Sequence, residues 1–185
     1  SKVPDSQSLF HIKTFLQERG YYQSVSKEKE NRIYLYLGQE TYVKEWKVLG
    51  APSHWDASRF RRIEGALLTP KLLNDVDERV KSSLQTLGHA CPRLRSQANY
   101  FSGLLTTTVG VDKPQVLARL EEEPVEGLDT SVLSRYNPFE IGERYDRSLL
   151  LLAEKRITEE NIFQSSYSSV TCEGENAYVK RRHIA

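Results

Sequence analysis

Long apolar runs are missing from this chain. The longest, Leu149 to Ala153, holds five residues, against the roughly 20 that a membrane-spanning helix needs. The first residues, SKVPDSQS, lack the apolar stretch of a signal peptide. Ten glycines are spread over 185 residues without clustering. That excludes a glycine-rich phosphate loop and a Rossmann fingerprint, which bring backbone N–H groups onto phosphate through closely spaced glycines. No G-x-S-x-G and no C-x-x-C is present, so a nucleophile elbow and a dithiol redox motif are excluded too. Cysteine is scarce, with Cys91 and Cys172 alone and far apart. Two cysteines build no disulfide framework, and this count favours a reducing compartment. The pairing of Cys91 with Cys172 stays open. The expected location is intracellular and cytoplasmic, with the nucleus also open.

What is present is the composition of an ordinary globular domain, 38% hydrophobic and 28% charged. The length fits one domain over residues 1–185. Net charge is +1, but residues 1–111 carry 16 Lys/Arg against 11 Asp/Glu, and residues 112–185 carry 10 against 14. That asymmetry permits one basic and one acidic face.

The segment SQSLFHIKTFLQERG reads as a helix, with Asp5 or Ser6 as N-cap and Gly20 at its end. YYQSVS, RIYLYLG and TYVKEWKVLG read as a three-strand meander. Alternation sends Ile33, Leu35 and Leu37 to one side and Tyr34 and Tyr36 to the other, so both faces are expected to be partly covered. Thr69-Pro70 opens a helix whose stripe runs from Leu72 to Leu87 and which Gly88 ends. RSQANYFSGLLTTTVG fits helix or strand equally. PQVLARLEEE reads as a short helix, and residues 128–146 as loop with a helical piece. SLLLLAEKRI, NIFQSSYSSVTCE and NAYVKRRHI read as three strands, the last two joined by an EGEN turn. The order predicts an α+β fold. Its largely antiparallel sheet or open barrel of about six strands is made of an N-terminal and a C-terminal three-strand meander, with helices on one side.

Four sets of residues carry candidate chemistry. Glu45 and Lys47 sit two apart on one strand face, the spacing of some metal-dependent nucleases. Such a site needs a second carboxylate beside Glu45; the preceding strand ends in Glu40, which counting puts on the opposite face. A charged strand edge explains the pair equally well. His11, His54, His89 and His183 are scattered, and His89-x-Cys91 supplies two zinc ligands where three or four are needed. Arg59, Arg61 and Arg62, with Lys180 and Arg182, form the densest basic clusters and have aromatic neighbours, the chemistry of single-strand nucleic-acid binding. On a strand, Lys180 and Arg182 face away from Arg181 and His183. Glu121, Glu122 and Glu123, read as a helix end, put negative charge where the dipole disfavours it, a misfit that suits a basic partner surface.

The reading these observations support is a non-catalytic binding module acting through protein–protein or nucleic-acid contacts. A protein partner or a homo-oligomer is favoured and nucleic acid remains open, with no membrane, cofactor or metal. The balance is against an enzyme. The alternatives are a metal-dependent nuclease using Glu45 and Lys47, and a small-ligand-binding barrel.

Overall fold

A computed structural model describes residues 6–30, 32–60, 62–161 and 163–184; the side chains of residues 6–8 are not part of that description. The expected cap Asp5 therefore lies outside it. The elements are α1 (Ser6–Gln17), β1 (Val25–Lys29), β2 (Arg32–Tyr36), β3 (Glu45–Leu49), the 3-10 turn η1 (Ala57–Phe60), α2 (Pro70–Thr86), β4 (Arg93–Asn99), β5 (Leu104–Gly110), β6 (Val116–Glu122), the 3-10 turn η2 (Thr130–Tyr136), α3 (Arg147–Glu159), β7 (Ser165–Glu173) and β8 (Asn176–Ile184). The class is α+β. Strands β1 and β2 pair as a hairpin, and the other six form two three-stranded sheets, ordered β3-β5-β4 and β6-β8-β7.

These elements repeat. The sequence strand, 3-10 turn, helix, strand, strand occurs once from β3 to β5 and again from β6 to β8. In each copy the last strand takes the middle of its sheet. The first strand lies parallel to it, β3 on β5 and β6 on β8. The fourth element reaches it through a tight turn, which makes that pair antiparallel. The chain clusters into two compact units, residues 1–79 with 94–109, and residues 80–93 with 110–185.

In the first unit Gly20 ends α1 at φ +82°, where the N–H of Tyr21 reaches back to the carbonyl of Leu16 at 3.0 Å. Thr69 caps α2 as its spacing requires, its hydroxyl accepting from the N–H of Leu72 at 3.1 Å. Asp56 does the same for Ser58 at the start of η1. Trp46 and Val48 of β3 turn inward while Glu45, Lys47 and Leu49 turn out. Trp46, Trp55 and Phe60 form an aromatic cluster with centroids 5.3–6.4 Å apart. The hairpin is the exception: every residue of β1 is exposed, and four of the five in β2 are. The partly covered faces expected for Tyr34, Leu35 and Tyr36 are therefore corrected.

The second unit has two apolar clusters. Ala90, Leu117, Tyr145, Leu150, Ala177 and Val179 form one, with Cys91 and Cys172 packed against it. Leu133, Ile157 and Phe163 form the other. Cys91 and Cys172 are joined by a disulfide.

Two segments change type from the sequence reading. SLLLLAEKRI is helix, with Asp146 as N-cap accepting from the N–H of Ser148 at 2.8 Å. An apolar run of that length does not distinguish strand from helix; the buried set Leu150, Ala153 and Ile157 has helical spacing. PQVLARLEEE is strand. Its Leu, Ala, Arg and Glu favour helix, but pairing along β8 overrides that preference. A register shift between Leu117 and Arg119 lets Leu117 and Leu120, an odd number of positions apart, both reach the core. The strands do not close on themselves, so the ligand-binding barrel has no mouth to form.

Candidate functional site

Among the described residues of the second unit, β7 is the longer of the two edge strands of its sheet, nine residues against seven in β6. The direction of its peptide groups follows from the neighbouring strand. The carbonyls of Glu175 and Arg181 accept from the N–H groups of Val116 and Glu123, so odd-numbered residues of β8 face β6. Even-numbered residues then face β7 and meet its odd-numbered ones, Ser165 with Ile184 through Glu173 with Asn176. Ser166, Ser168, Val170 and Cys172 are left with their N–H and C=O groups pointing away from the sheet. Edges of this kind are usually blunted by lysine, proline or a bulge. SSYSSVTCE carries none of these, and its one charge is the terminal Glu173.

The edge is held in place from behind. On β8 the inward residues are Ala177, Val179 and Arg181. The Arg181 side chain is fully buried, and it donates to Glu122 Oε1 and to Asn137 Oδ1, each at 3.0 Å. Burial holds its pKa below the usual arginine value, an effect Glu122 opposes. The other oxygen of Glu122 lies 3.1 Å from His183 Nε2, and the opposite ring nitrogen lies 3.1 Å from the Ser166 hydroxyl of β7. Phe163 stacks on the His183 ring with centroids 4.4 Å apart. A fixed polar chain thus runs from η2's end through β6 and β8 into the edge strand. The disulfide adds a covalent tie at Cys172, near the other end of β7.

The sequence-named residues are distributed as follows. Glu121, Glu122 and Glu123 belong to β6 and the residue after it, not to a helix end. Glu122 is the buried partner of Arg181, whereas Glu123 pairs with Arg182 at 3.4 Å on the surface. Glu121 pairs with Arg119 at 3.7 Å and lines a shallow outer groove with Ser169, Thr171, Tyr178 and Lys180. Lys180 and Arg182 point outward and Arg181 inward, as strand alternation requires. Arg59 and Arg62 line a cleft in the first unit together with Ser58 and Arg79, the last lying over the Phe60 ring at 5.3 Å; Arg61 lies outside the described residues. Glu45 Oε1 meets Lys47 Nζ at 3.1 Å on an exposed face, while Glu64 accepts from the Trp46 N–H. Among the described residues no three of His, Cys, Asp and Glu come together as metal ligands. His89 Nδ1 donates to the carbonyl of Asp112 at 2.8 Å.

Sequence reasoning missed the Arg181–Glu122–His183 network. The available signal was the alternation itself, which put Arg181 and His183 on the core side. A buried arginine demands a buried acid.

No family model matches the chain, and no curated protein matches it. Its fold is similar to solved structures. The crystal structure of Haemophilus influenzae BamA POTRA3-5 superposes with a TM-score of 0.67 at 15% identity, over 97% of this chain and 79% of that one. BamA from Haemophilus ducreyi lacking POTRA domains 1–3 gives 0.55 at 15% identity, over 77% of this chain and 29% of that one. POTRA1-3 of the periplasmic domain of Omp85 from Anabaena gives 0.44 at 13% identity, over 96% and 80%. The fold is therefore POTRA-like.

Three expectations are corrected by these findings. The intracellular, cytoplasmic placement is corrected by the pairing of Cys91 with Cys172, which fits an oxidising compartment. Nucleic-acid binding is not supported, because the basic residues stand on a mixed-charge surface: Arg182 pairs with Glu123, and Lys180 shares a groove with Glu121. The exclusion of a membrane is withdrawn: no described helix is long and apolar enough to cross one, which leaves association with one open.

Proposed function

We propose that this chain is a polypeptide-binding module that takes up an extended segment of a protein partner by strand addition along β7. The observation that carries the reading is the unblunted nine-residue edge whose outward peptide groups belong to Ser166, Ser168, Val170 and Cys172. Main-chain hydrogen bonds supply affinity in such a mode, and alternate side chains supply selectivity. Tyr167, exposed on the outer face of β7, and the groove beside Ser169 and Thr171 would contact every second side chain of the guest. The buried network and the disulfide hold the edge straight before binding, which lowers the ordering cost on the host's side. The POTRA-like fold supports the reading.

The test uses a capped peptide of alternating valine and threonine with a lysine at each end. Binding should slow amide exchange at Ser168 and Val170 at least about tenfold, with no change on β6. Ser168→Pro removes one outward N–H at an edge position where proline is tolerated and should abolish the protection while β8 amides stay protected. Unchanged exchange at Ser168 and Val170, or equal protection in the proline variant, overturns the proposal.

A further inference from the structure

Three arginines of the first unit line one open cleft, and buried neighbours place each of them there. Asp56 caps η1, its two oxygens accepting from the Ser58 N–H at 2.8 Å and the Ser58 hydroxyl at 2.7 Å. Phe60 and Ile63 then turn into the core, 7% and 0% exposed, and the Ile63 N–H closes a turn on the Phe60 carbonyl at 3.1 Å. Arg59 and Arg62 each stand one position ahead of such an anchor and are exposed. Arg79 follows the buried Val76 of α2 by about one turn. Its guanidinium carbon sits 5.3 Å from the centre of the Phe60 ring, and that ring is itself held by Trp46 and Trp55 at 5.6 and 5.3 Å. An aromatic face attracts a cation without neutralising it.

The cleft has a volume of about 570 Å³, and its lining residues are Ser58, Arg59, Arg62 and Arg79. Among the described residues no carboxylate lines it and no acid pairs with any of the three arginines. Arg93, Arg119, Arg181 and Arg182, by contrast, each have a carboxylate partner. Each guanidinium brings one positive charge and five N–H donors in a planar fork. The Ser58 hydroxyl gives its proton to Asp56, so the arginines are the side-chain donors of the cleft. Three forks exceed what one carboxylate accepts, because two forks use up its two oxygens. A tetrahedral anion with three terminal oxygens has an acceptor for each fork.

We propose that this cleft binds a phosphate dianion, free or as a monoester, through Arg59, Arg62 and Arg79. Three positive charges without an internal acid suit a dianion, and the volume leaves room for the group that carries the phosphate. One cleft takes one phosphate, unlike the groove that tracks successive phosphates of a nucleic acid. The inference is independent of strand addition at β7, which belongs to the second unit.

The test is a titration of the chain with inorganic phosphate, read at the arginine side-chain Nε–H signals. Those of Arg59, Arg62 and Arg79 should shift along one saturable curve, while Arg19, over the Phe15 ring, stays in place. Sulfate should compete and acetate should not. The double variant Arg59→Lys, Arg62→Lys keeps the charge and removes two forks, and should weaken phosphate binding at least about tenfold with tryptophan emission and denaturant midpoint unchanged. Vesicles of phosphatidylcholine with phosphatidic acid, set against phosphatidylcholine alone, separate the sources once inorganic phosphate binds. Retention that the lysine variant loses assigns the phosphate to a lipid headgroup, and no retention assigns it to a soluble molecule; both support the site. The absence of a saturable shift with phosphate overturns the proposal, as do equal shifts with acetate or full affinity in the lysine variant.

Discussion

The two complete repeats share a topology and hold it together with opposite chemistry. Behind the first sheet runs a relay of neutral donors. Trp46 Nε1 of β3 donates to the Thr107 hydroxyl of β5 at 3.0 Å, that hydroxyl lies 2.7 Å from Ser96 of β4, and Ser96 donates to Asp77 of α2 at 2.6 Å. Ser96 has one proton and gives it to the carboxylate, so Thr107 must donate to Ser96. The direction of the whole chain is thereby fixed, one hydrogen per link, ending on one carboxylate. Behind the second sheet the same positions, first strand and central strand, carry Glu122 and Arg181, a fully desolvated cation on an acid. The second repeat also has the disulfide, and the first has the aromatic cluster of Trp46, Trp55 and Phe60. The shared fold is therefore set by the strand order and the helix crossover, whereas the cross-strand polar staple is interchangeable.

The comparison predicts unequal penalties. Glu122→Ala leaves a buried guanidinium without its acid and should destabilise the second unit by about 3–5 kcal/mol. Thr107→Val in the first unit strands the Trp46 N–H and should cost about 1–3 kcal/mol. The readouts separate cleanly, since the chain's two tryptophans, Trp46 and Trp55, are both in the first unit. Tryptophan emission follows that unit, and amide exchange at β8 follows the other. Equal penalties in the two variants would mean that burial of charge does not distinguish the repeats.

A second difference is covalent. The disulfide closes a sequence separation of 81 residues, and removing such a bridge costs about 2–5 kcal/mol. Replacing Cys91 and Cys172 together by alanine should lower the denaturant midpoint read at β8. The tryptophan transition is the internal reference, and a larger shift there than at β8 would count against the assignment of the bridge to the second unit.

How much of this could be read beforehand depends on what each signal encodes. The cap at Thr69 and the end at Gly20 are local chemistry, legible within four residues. The odd–even separation of Lys180 and Arg182 from Arg181 also held, because side-chain direction on a strand is fixed by the backbone alone. What stayed hidden was pairing. β6 has a helix-forming composition, and only its long-range partner β8 makes it a strand. α3 opens on a leucine run that carries no period, and its cap Asp146 was read as loop. The same blindness hid the edge at β7, because an edge is defined by the neighbour a strand lacks. The repeat itself is invisible in the residues: β3 reads EWKVL and β6 VLARLEE, alike in place and unlike in composition.

An effect confined to alkaline pH concerns Tyr145, in the apolar cluster with Leu117, Leu150 and Val179. Burial is the main cause that pushes its hydroxyl up to about 12, with Arg147 opposing. The unfolded chain ionises near the ordinary tyrosine value of about 10. The folded state therefore favours the protonated ring, and its contribution is fully present below pH 10. As pH rises from about 10 to about 12 the unfolded state alone loses the proton, and stability falls by up to about 2.7 kcal/mol, at 1.36 kcal/mol per pH unit. The first repeat has no tyrosine that burial shifts so far among its described residues, so the alkaline loss should appear at β8 amides and not in tryptophan emission. Tyr145→Phe keeps the ring and removes the titrating group. Its β8 stability should be flatter with pH between 10 and 12 than that of the parent, whatever its value at pH 7. An alkaline slope in Tyr145→Phe as steep as the parent's would place the titration elsewhere in the unit.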